Sequence, residues 1–533
     1  MLTSQKFGEL RIIEKIGSGS FGHVYHVKDK QNNNYAVKLM QTTNHGITPE
    51  IIREINVLQQ LSNYNSIIKL LDIIKNKYNV CLVFEFANCD LCEWTQLYDF
   101  KYRINKIKEI TTQLAESIFI LHQFNIIHRD IKPANVLLMN DKETIKLCDF
   151  GLSKKILSVN NTPDICTLRY RSPELLLNSK TDYSFPIDIW SFGCVIYKII
   201  TGKEFVSDGC GNEIETLLDI FRKLGTPDSN IINNIGCSSI TFENFPKNNI
   251  KELIIREIEY DKNNDNLLDT NLLDLLSKML VINPDERITI TEVIEHPYIK
   301  HQNIKYQNIK SKIGDISETL LSGNMDIDNN EYDDIINFIH KVGKEFELTK
   351  FSVIISVNIF TKYLQNKKIK ILKDDKENWK IAIVCVILSM KYNDKCVLET
   401  DDLITTLQEY LLKYEKNSEI NSEINSEKNS KKNSEKNSEK MAIDIITEIN
   451  DNIINYEWEI LKSNNFVIDT RSIYDYIDKN FFTLRNKNKI MTLNKYLVCN
   501  FKGEYLSNIE FYSSGIVNKL NIKRELMSYK YWG

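Results

Sequence analysis

Four early segments alternate apolar and polar residues: RIIEKIG at 11–17, GHVYHVKD at 22–29, YAVKLM at 35–40 and NVCLVFEF at 79–86. Period-two patterning bounded by turn residues predicts strands. From Pro49 to about Leu61 the apolar positions recur at helical spacing, behind a proline whose missing N–H costs nothing at a helix start. Beyond residue 100 most segments read as helices. Residues 301–330 are polar and patternless, which predicts a linker. Residues 331–413 are helical again, with little strand signal. Residues 417–440 repeat an Asn-Ser-Glu unit that cannot bury a core, and the expectation is an unstructured loop insertion. Helical patterning resumes at Met441.

Composition narrows the class. A chain of 533 residues has room for several domains with sizeable cores. Lys plus Arg is 68 and Asp plus Glu is 72, a net charge of −4, so binding to nucleic acid driven by bulk charge is excluded. The longest strongly apolar stretch, Ile381 to Met390, is too short to cross a bilayer. The N-terminus lacks the pattern of a secretory signal. The 11 cysteines show no paired Cys/His spacing of a zinc site and read as reduced thiols. The expected location is intracellular and soluble, in cytoplasm or nucleus, with no membrane and no direct nucleic-acid partner.

The chemistry lies in the first 150 residues. Gly17-Ser18-Gly19-Ser20-Phe21-Gly22 matches GxGxxG, a weak signal alone. It sits between two predicted strands rather than strand and helix. That disfavours a dinucleotide fold and fits a hairpin lid over phosphates. Lys38, in YAVK on the next strand, can neutralise phosphate charge if a carboxylate holds it, and Glu54 on the 49–61 helix is the natural partner. His128-Arg129-Asp130-Ile131-Lys132-Pro133-Ala134-Asn135, followed by Asp149-Phe150-Gly151, is far more specific. Phosphoryl transfer needs Mg²⁺ on the transferred phosphates and a carboxylate beside the incoming hydroxyl. Asp149 and Asn135 supply hard oxygen ligands for Mg²⁺. Asp130 can take the hydroxyl proton, and Lys132 can steady the transferred charge.

With this ordered set in place, residues 1–300 resemble eukaryotic protein kinases. Ser172-Pro173-Glu174, the Asp188–Gly193 segment DIWSFG and Arg287 match later motifs of that family, and the last two are structural there. The helix GITPEIIREINVLQQL, together with FRKLGTP at 221–227 and TLRYRSPE at 167–174, is similar to cyclin-dependent kinases. That resemblance implies ATP and Mg²⁺ as cofactors and protein serine or threonine as substrate. It implies nucleotide contacts from Ile16, Gly17, Gly19, Gly22, Val24, Ala36 and Lys38. It makes Phe84 the guard of the adenine pocket, gives Glu85 and Ala87 to the hinge, and sets Asp90 near the ribose. It makes Thr162 an activating phosphorylation site served by Arg53, Arg129 and Lys154, the last a lysine where the family has a third arginine. Arg171 implies proline direction, whereas Arg169 replaces the family's usual tryptophan.

The C-terminal half, with DIINFIHKVGKEFEL, VIISVNIFTKYL, WKIAIVCVILSMKYNDK and YEWEILKSNNFVID, is all-helical and resembles the cyclin box. Phe338 stands where the first helix usually has tryptophan. The residues that grip the kinase in that family fall on Lys391 and Glu457. The implied organisation is an α+β, bilobal kinase domain at 1–300, a linker at 301–330, a cyclin-box-like all-α domain at 331–480, and at 481–533 a second cyclin repeat that stops early. The implied activity is that of a Ser/Thr kinase carrying its own activator, in cis or for a partner chain in trans. The competing reading is a catalytically silent kinase-fold scaffold with a helical docking domain.

Overall fold

The expected strands form, and they hydrogen-bond into one antiparallel sheet. In the computed structural model β1 (Lys6–Phe7), β2 (Leu10–Gly19), β3 (Gly22–Lys28), β4 (Asn34–Gln41), β5 (Leu70–Lys75) and β6 (Asn79–Glu85) lie in the order β1-β2-β3-β4-β6-β5. The structure describes residues 6–7, 9–19, 22–76, 78–139, 144–155, 167–177, 184–228, 231–232, 242–258, 268–300, 333–346, 348, 350–367, 376–393 and 429–468. The chain divides into two compact units, Met1–Asn303 and Ile304–Gly533.

In the first unit, alternate residues of the strands bury one sheet face, with Phe7, Ile12, Val27, Val37, Cys81 and Val83 as its core. Helix α1 (Pro49–Gln60) has proline in its first turn and buries Ile51, Ile52, Ile55 and Leu58. Glu54 is carried inward on the same helix, only 1% exposed. Two small sheets carry the catalytic segments. One joins β7 (Cys89–Asp90), β9 (Val136–Leu138) and β10 (Ile145–Leu147); the other pairs β8 (Ile126–Ile127) with β11 (Lys154–Lys155).

Around them pack α2 (Leu91–Leu97), α3 (Phe100–Gln123), α4 (Pro173–Leu176), α5 (Pro186–Thr201), α6 (Glu213–Leu224), α7 (Ile250–Glu257), α8 (Thr270–Met279) and α9 (Ile290–Glu295). Helix α5 is almost wholly buried. Its C-terminal carbonyls are taken by Arg103 of α3, which donates from Nε to Ile199 O at 2.8 Å and from Nη2 to Ile200 O at 3.4 Å. A cation at a helix C-terminus also suits the dipole.

The second unit contains α10 (Asp333–Glu345), α11 (Lys350–Lys367), α12 (Lys376–Asn393) and α13 (Asn429–Ser463). Helix α12 packs against the other three and buries Ile381, Ala382, Ile383, Val384, Cys385 and Leu388, as its unbroken apolar run requires. Phe338 of α10 meets Trp379 of α12 edge-on, with ring centroids 5.2 Å apart. Gly343 lets α10 approach α11, since a Cβ there would stand 2.3 Å from a Val353 methyl.

One expectation is corrected. Composition predicts an unstructured Asn/Ser/Glu/Lys tract from 417 to 440, but α13 begins at Asn429, so residues 429–440 are helical. The tract runs without glycine or proline into an amphipathic packed helix, and extending a formed helix costs far less than nucleating one. Residues 417–428, the 301–330 segment and the 481–533 region lie outside the described residues. Among those described, no helix is long and apolar enough to cross a membrane.

Candidate active site

Strand β4 presents Lys38 between Val24 of β3 and Leu82 of β6 in register. Its ammonium meets both Glu54 oxygens, at 2.9 and 2.7 Å, and Asp149 Oδ1 at 2.8 Å. Two carboxylates, one 16 and one 111 residues along the chain, thus converge on one buried ammonium. Burial works against the Lys38 ammonium, but Glu54 and Asp149 together hold its pKa above the ordinary value. Burial pushes the Glu54 carboxyl up to about 7 against the pull of Lys38. Burial also works against the Asp149 carboxylate, and Lys38 outweighs it, holding that carboxyl low.

Backbone geometry aims the acidic groups. Arg129 and Asp149 both adopt left-handed conformations, at φ 68° and 63°, a cost sustained only where surrounding contacts fix it. The fixing contacts are visible at Asp188 of α5. Its carboxylate accepts the backbone N–H of His128 at 2.9 Å and of Arg129 at 3.0 Å, and bonds His122 Nε2 at 2.9 Å. His128 is neutral by its bonding: Nε2 lies 3.1 Å from Cys148 O, to which it donates, and Nδ1 accepts the Asp130 N–H at 3.3 Å. Burial holds its pKa below the ordinary 6.5.

Asp130 is therefore locked by its own loop. Asn135 donates both to its backbone carbonyl, at 2.7 Å, and to Oδ2, at 2.9 Å. Lys132 Nζ lies 2.7 Å from Oδ2 and donates to the Thr167 hydroxyl at 2.8 Å. Thr167 in turn donates its N–H and its hydroxyl to Asp130 Oδ1. The role of Thr167 escapes the sequence reading. Its only signal there is its place at the head of TLRYRSPE.

The residues fit the implied cation. Asn135 spends its N–H donors on Asp130, which leaves its amide oxygen as an acceptor, and Asp149 commits Oδ1 to Lys38 while retaining a second carboxylate oxygen. These are hard oxygen donors of the kind Mg²⁺ takes.

The nucleotide side is only partly brought together by polar contacts. Gly17 faces Val24 across the β2–β3 hairpin, and Ala36 faces Phe84 across β4–β6. Gly22, at φ 142°, is obligatory: a Cβ would stand 2.2 Å from the Leu39 carbonyl oxygen. Among the described residues beyond its chain neighbours, nothing lies within 4 Å of where a Gly19 Cβ would be. Ile16 is 48% exposed at the end of β2, and Ala87 is half-buried after β6. The side chains of Glu85 and Asp90 have structural partners. Glu85 accepts from Lys146 Nζ at 2.6 Å and Lys69 N–H at 2.8 Å, and Asp90 caps α2 through the Glu93 N–H at 2.8 Å. Cys89 and Cys92 flank that cap in a CxxC spacing, which the sequence reading passes over. Neither forms a disulfide.

Of the expected phosphate-binding group, Arg53 Nε donates to Gly151 O at 3.2 Å and Arg129 Nε to Leu152 O at 2.5 Å, so both reach adjacent carbonyls. Arg53 also pairs with Glu50 at 2.8 Å. The backbone of Lys154 pairs with Ile127; its side chain and Thr162 lie outside the described residues. Arg171 pairs with Glu213, and Arg169 with Asp208. Buried Arg287 grips both Glu174 oxygens, at 2.8 and 3.0 Å. In the second unit, Lys391 of α12 forms an ion pair with Glu457 of α13, whose side chain is fully buried.

Comparison with known families agrees with this geometry. The family model described as the protein kinase domain matches residues 10–299, more than half of the chain. The model described as the cyclin N-terminal domain matches residues 302–460.

Proposed function

The chain belongs to the protein kinase family and carries a cyclin domain behind its kinase domain, and from that premise we propose that it phosphorylates serine and threonine in proteins and supplies its own cyclin-like activator. The observation that carries the reading is the complete set of polar contacts joining Lys38, Glu54 and Asp149 on one side and Asp130, Lys132, Asn135 and Thr167 on the other. A silent scaffold has no need to hold two such clusters of charged and amide groups, each joined internally by hydrogen bonds.

In this reading Asp130 orients the incoming hydroxyl and accepts its proton. Lys132 offsets charge on the transferred phosphoryl group. Lys38, held by Glu54, binds the phosphates of ATP from the sheet side. Asp149 and Asn135 would hold Mg²⁺, which would supply charge neutralisation on the phosphates. Ile16, Gly17, Gly19, Gly22, Val24, Ala36, Phe84, Glu85, Ala87 and Asp90 form the nucleotide cleft, with Glu85 acting through its backbone, since its carboxylate is engaged. Arg171 supports proline direction. Thr162 is the phosphorylation site served by Arg53, Arg129 and Lys154, and Lys391 and Glu457 serve docking of the cyclin-like domain onto the kinase domain. The buried Lys391–Glu457 pair gives those two residues an internal role besides.

The test is ATP-dependent phosphorylation of a serine or threonine peptide by the full chain. Turnover lost in Asp149→Ala supports the reading. Equal background from the two proteins would remove it.

A further inference from the structure

The strip following Thr167 presents one exposed charge beside the place where the acceptor hydroxyl must sit. Thr167 is bonded twice to Asp130 Oδ1, so this strip is fixed relative to the catalytic carboxylate. Tyr170 is buried and bonded to Glu204. Arg171 is buried and paired with Glu213, and Ser172 is buried. Arg169 differs: its side chain is 37% exposed, and its ion-pair partner Asp208, in the segment between α5 and α6, is 84% exposed. Two residues of chain place the Arg169 Cα within about 7 Å of that of Thr167. That separation sets Arg169 close enough along the chain to Thr167 for its long side chain to serve residues flanking the acceptor.

We propose that Arg169 is a specificity-determining residue that reads an anionic side chain close to the phosphorylated serine or threonine. This deepens, and rests on, the phosphotransfer reading. The Arg169–Asp208 pair is solvent-exposed, and such pairs are worth little because water screens both charges. A substrate carboxylate or phosphate can replace Asp208 on the guanidinium with a fork-like pair of charge-assisted hydrogen bonds. Asp208 then acts as an internal competitor, which raises KM for neutral substrates least and sets how strongly the anion must bind to displace it. The neighbouring acids Glu204 and Glu213 do not compete for Arg169, because each already holds a partner, Tyr170 with Lys198 and Arg171 respectively.

The test uses the full chain and a peptide set with one serine acceptor, in which each neighbouring position carries in turn alanine, aspartate, phosphoserine or lysine. The parent is expected to prefer an anion at one position on the order of tenfold in kcat/KM over alanine, mainly through KM. The aspartate and phosphoserine arms tell whether carboxylate or phosphate is the better ligand. Arg169→Ala should bring that ratio to about one, and Asp208→Asn, an exposed change that leaves the fold untouched, should raise it. The double reversal Arg169→Glu with Asp208→Arg should turn the preference toward lysine. An anion preference that survives Arg169→Ala, no anion preference in the parent, or a lysine preference lost in Asp208→Asn would each overturn the proposal. No turnover of any peptide by the parent would instead remove the phosphotransfer reading beneath it.

Discussion

Thr167 gives both its backbone N–H, at 3.2 Å, and its hydroxyl, at 3.0 Å, to the same oxygen of Asp130. Lys132 closes the triangle from the other carboxylate oxygen to the Thr167 hydroxyl. One loop residue thereby fixes the position of the carboxylate expected to orient the substrate.

Thr167→Ala is accordingly expected to lower kcat by about 10–100-fold while leaving ATP affinity close to that of the parent. Thr167→Ser, which keeps the hydroxyl, should recover most of the loss. Steady-state kinetics in both substrates checks this. Equal losses in the alanine and serine variants would assign Thr167 a packing role only.

The buried ion pair Arg287–Glu174 joins the segment before α9 to α4, and Arg287 also lies over the Trp190 ring, 5.2 Å from its centroid. Removing one partner leaves a buried charge unpaired, so Arg287→Ala should destabilise the kinase unit by about 3 kcal/mol or more. The measurement is denaturant unfolding monitored by tryptophan fluorescence. A midpoint equal to the parent's would contradict this account.

His128 sets a pH dependence of stability. It is buried among Asp188, Asp130 and Asp149, yet desolvation outweighs them and keeps its folded pKa below 6.5. Below pH 6.5 the unfolded chain therefore takes up a proton that the folded chain refuses, and stability falls as pH drops toward the folded value. His128→Tyr should flatten the stability curve below pH 6.5 relative to the parent. Thermal unfolding across that range checks it.

Much of this site was legible in sequence because its groups sit in short motifs whose internal geometry is local. Glu54 lies 16 residues and Asp149 111 residues beyond Lys38, yet each lies in a recognisable segment, and the fold brings both carboxylates onto the one ammonium. Thr167 was less legible because its role depends on a carboxylate 37 residues away and on a loop conformation that no periodicity reports. The nucleotide roles of Glu85 and Asp90 come from the family resemblance, and no motif reports that the Glu85 carboxylate also accepts from Lys146 and the Lys69 N–H while that of Asp90 caps α2. The start of α13 was missed for a thermodynamic reason: composition reports the propensity of an isolated tract, whereas a packed helix next to it supplies the nucleus. In the second unit the pattern located the buried helix α12, but not that Lys391 and Glu457 would meet each other.

Activation of the kinase domain by the cyclin domain of the same chain is the proposal that one comparison tests most directly. Tethering gives an intramolecular partner an effective concentration up to about the millimolar range. The most direct measurement compares peptide phosphorylation by the full chain, by residues 1–303 alone, and by residues 1–303 with residues 304–533 added. The account predicts that the full chain is active without any added protein, that the kinase unit alone is at least about tenfold slower, and that the second unit restores part of the rate in trans. A kinase unit as fast alone as within the full chain would contradict it.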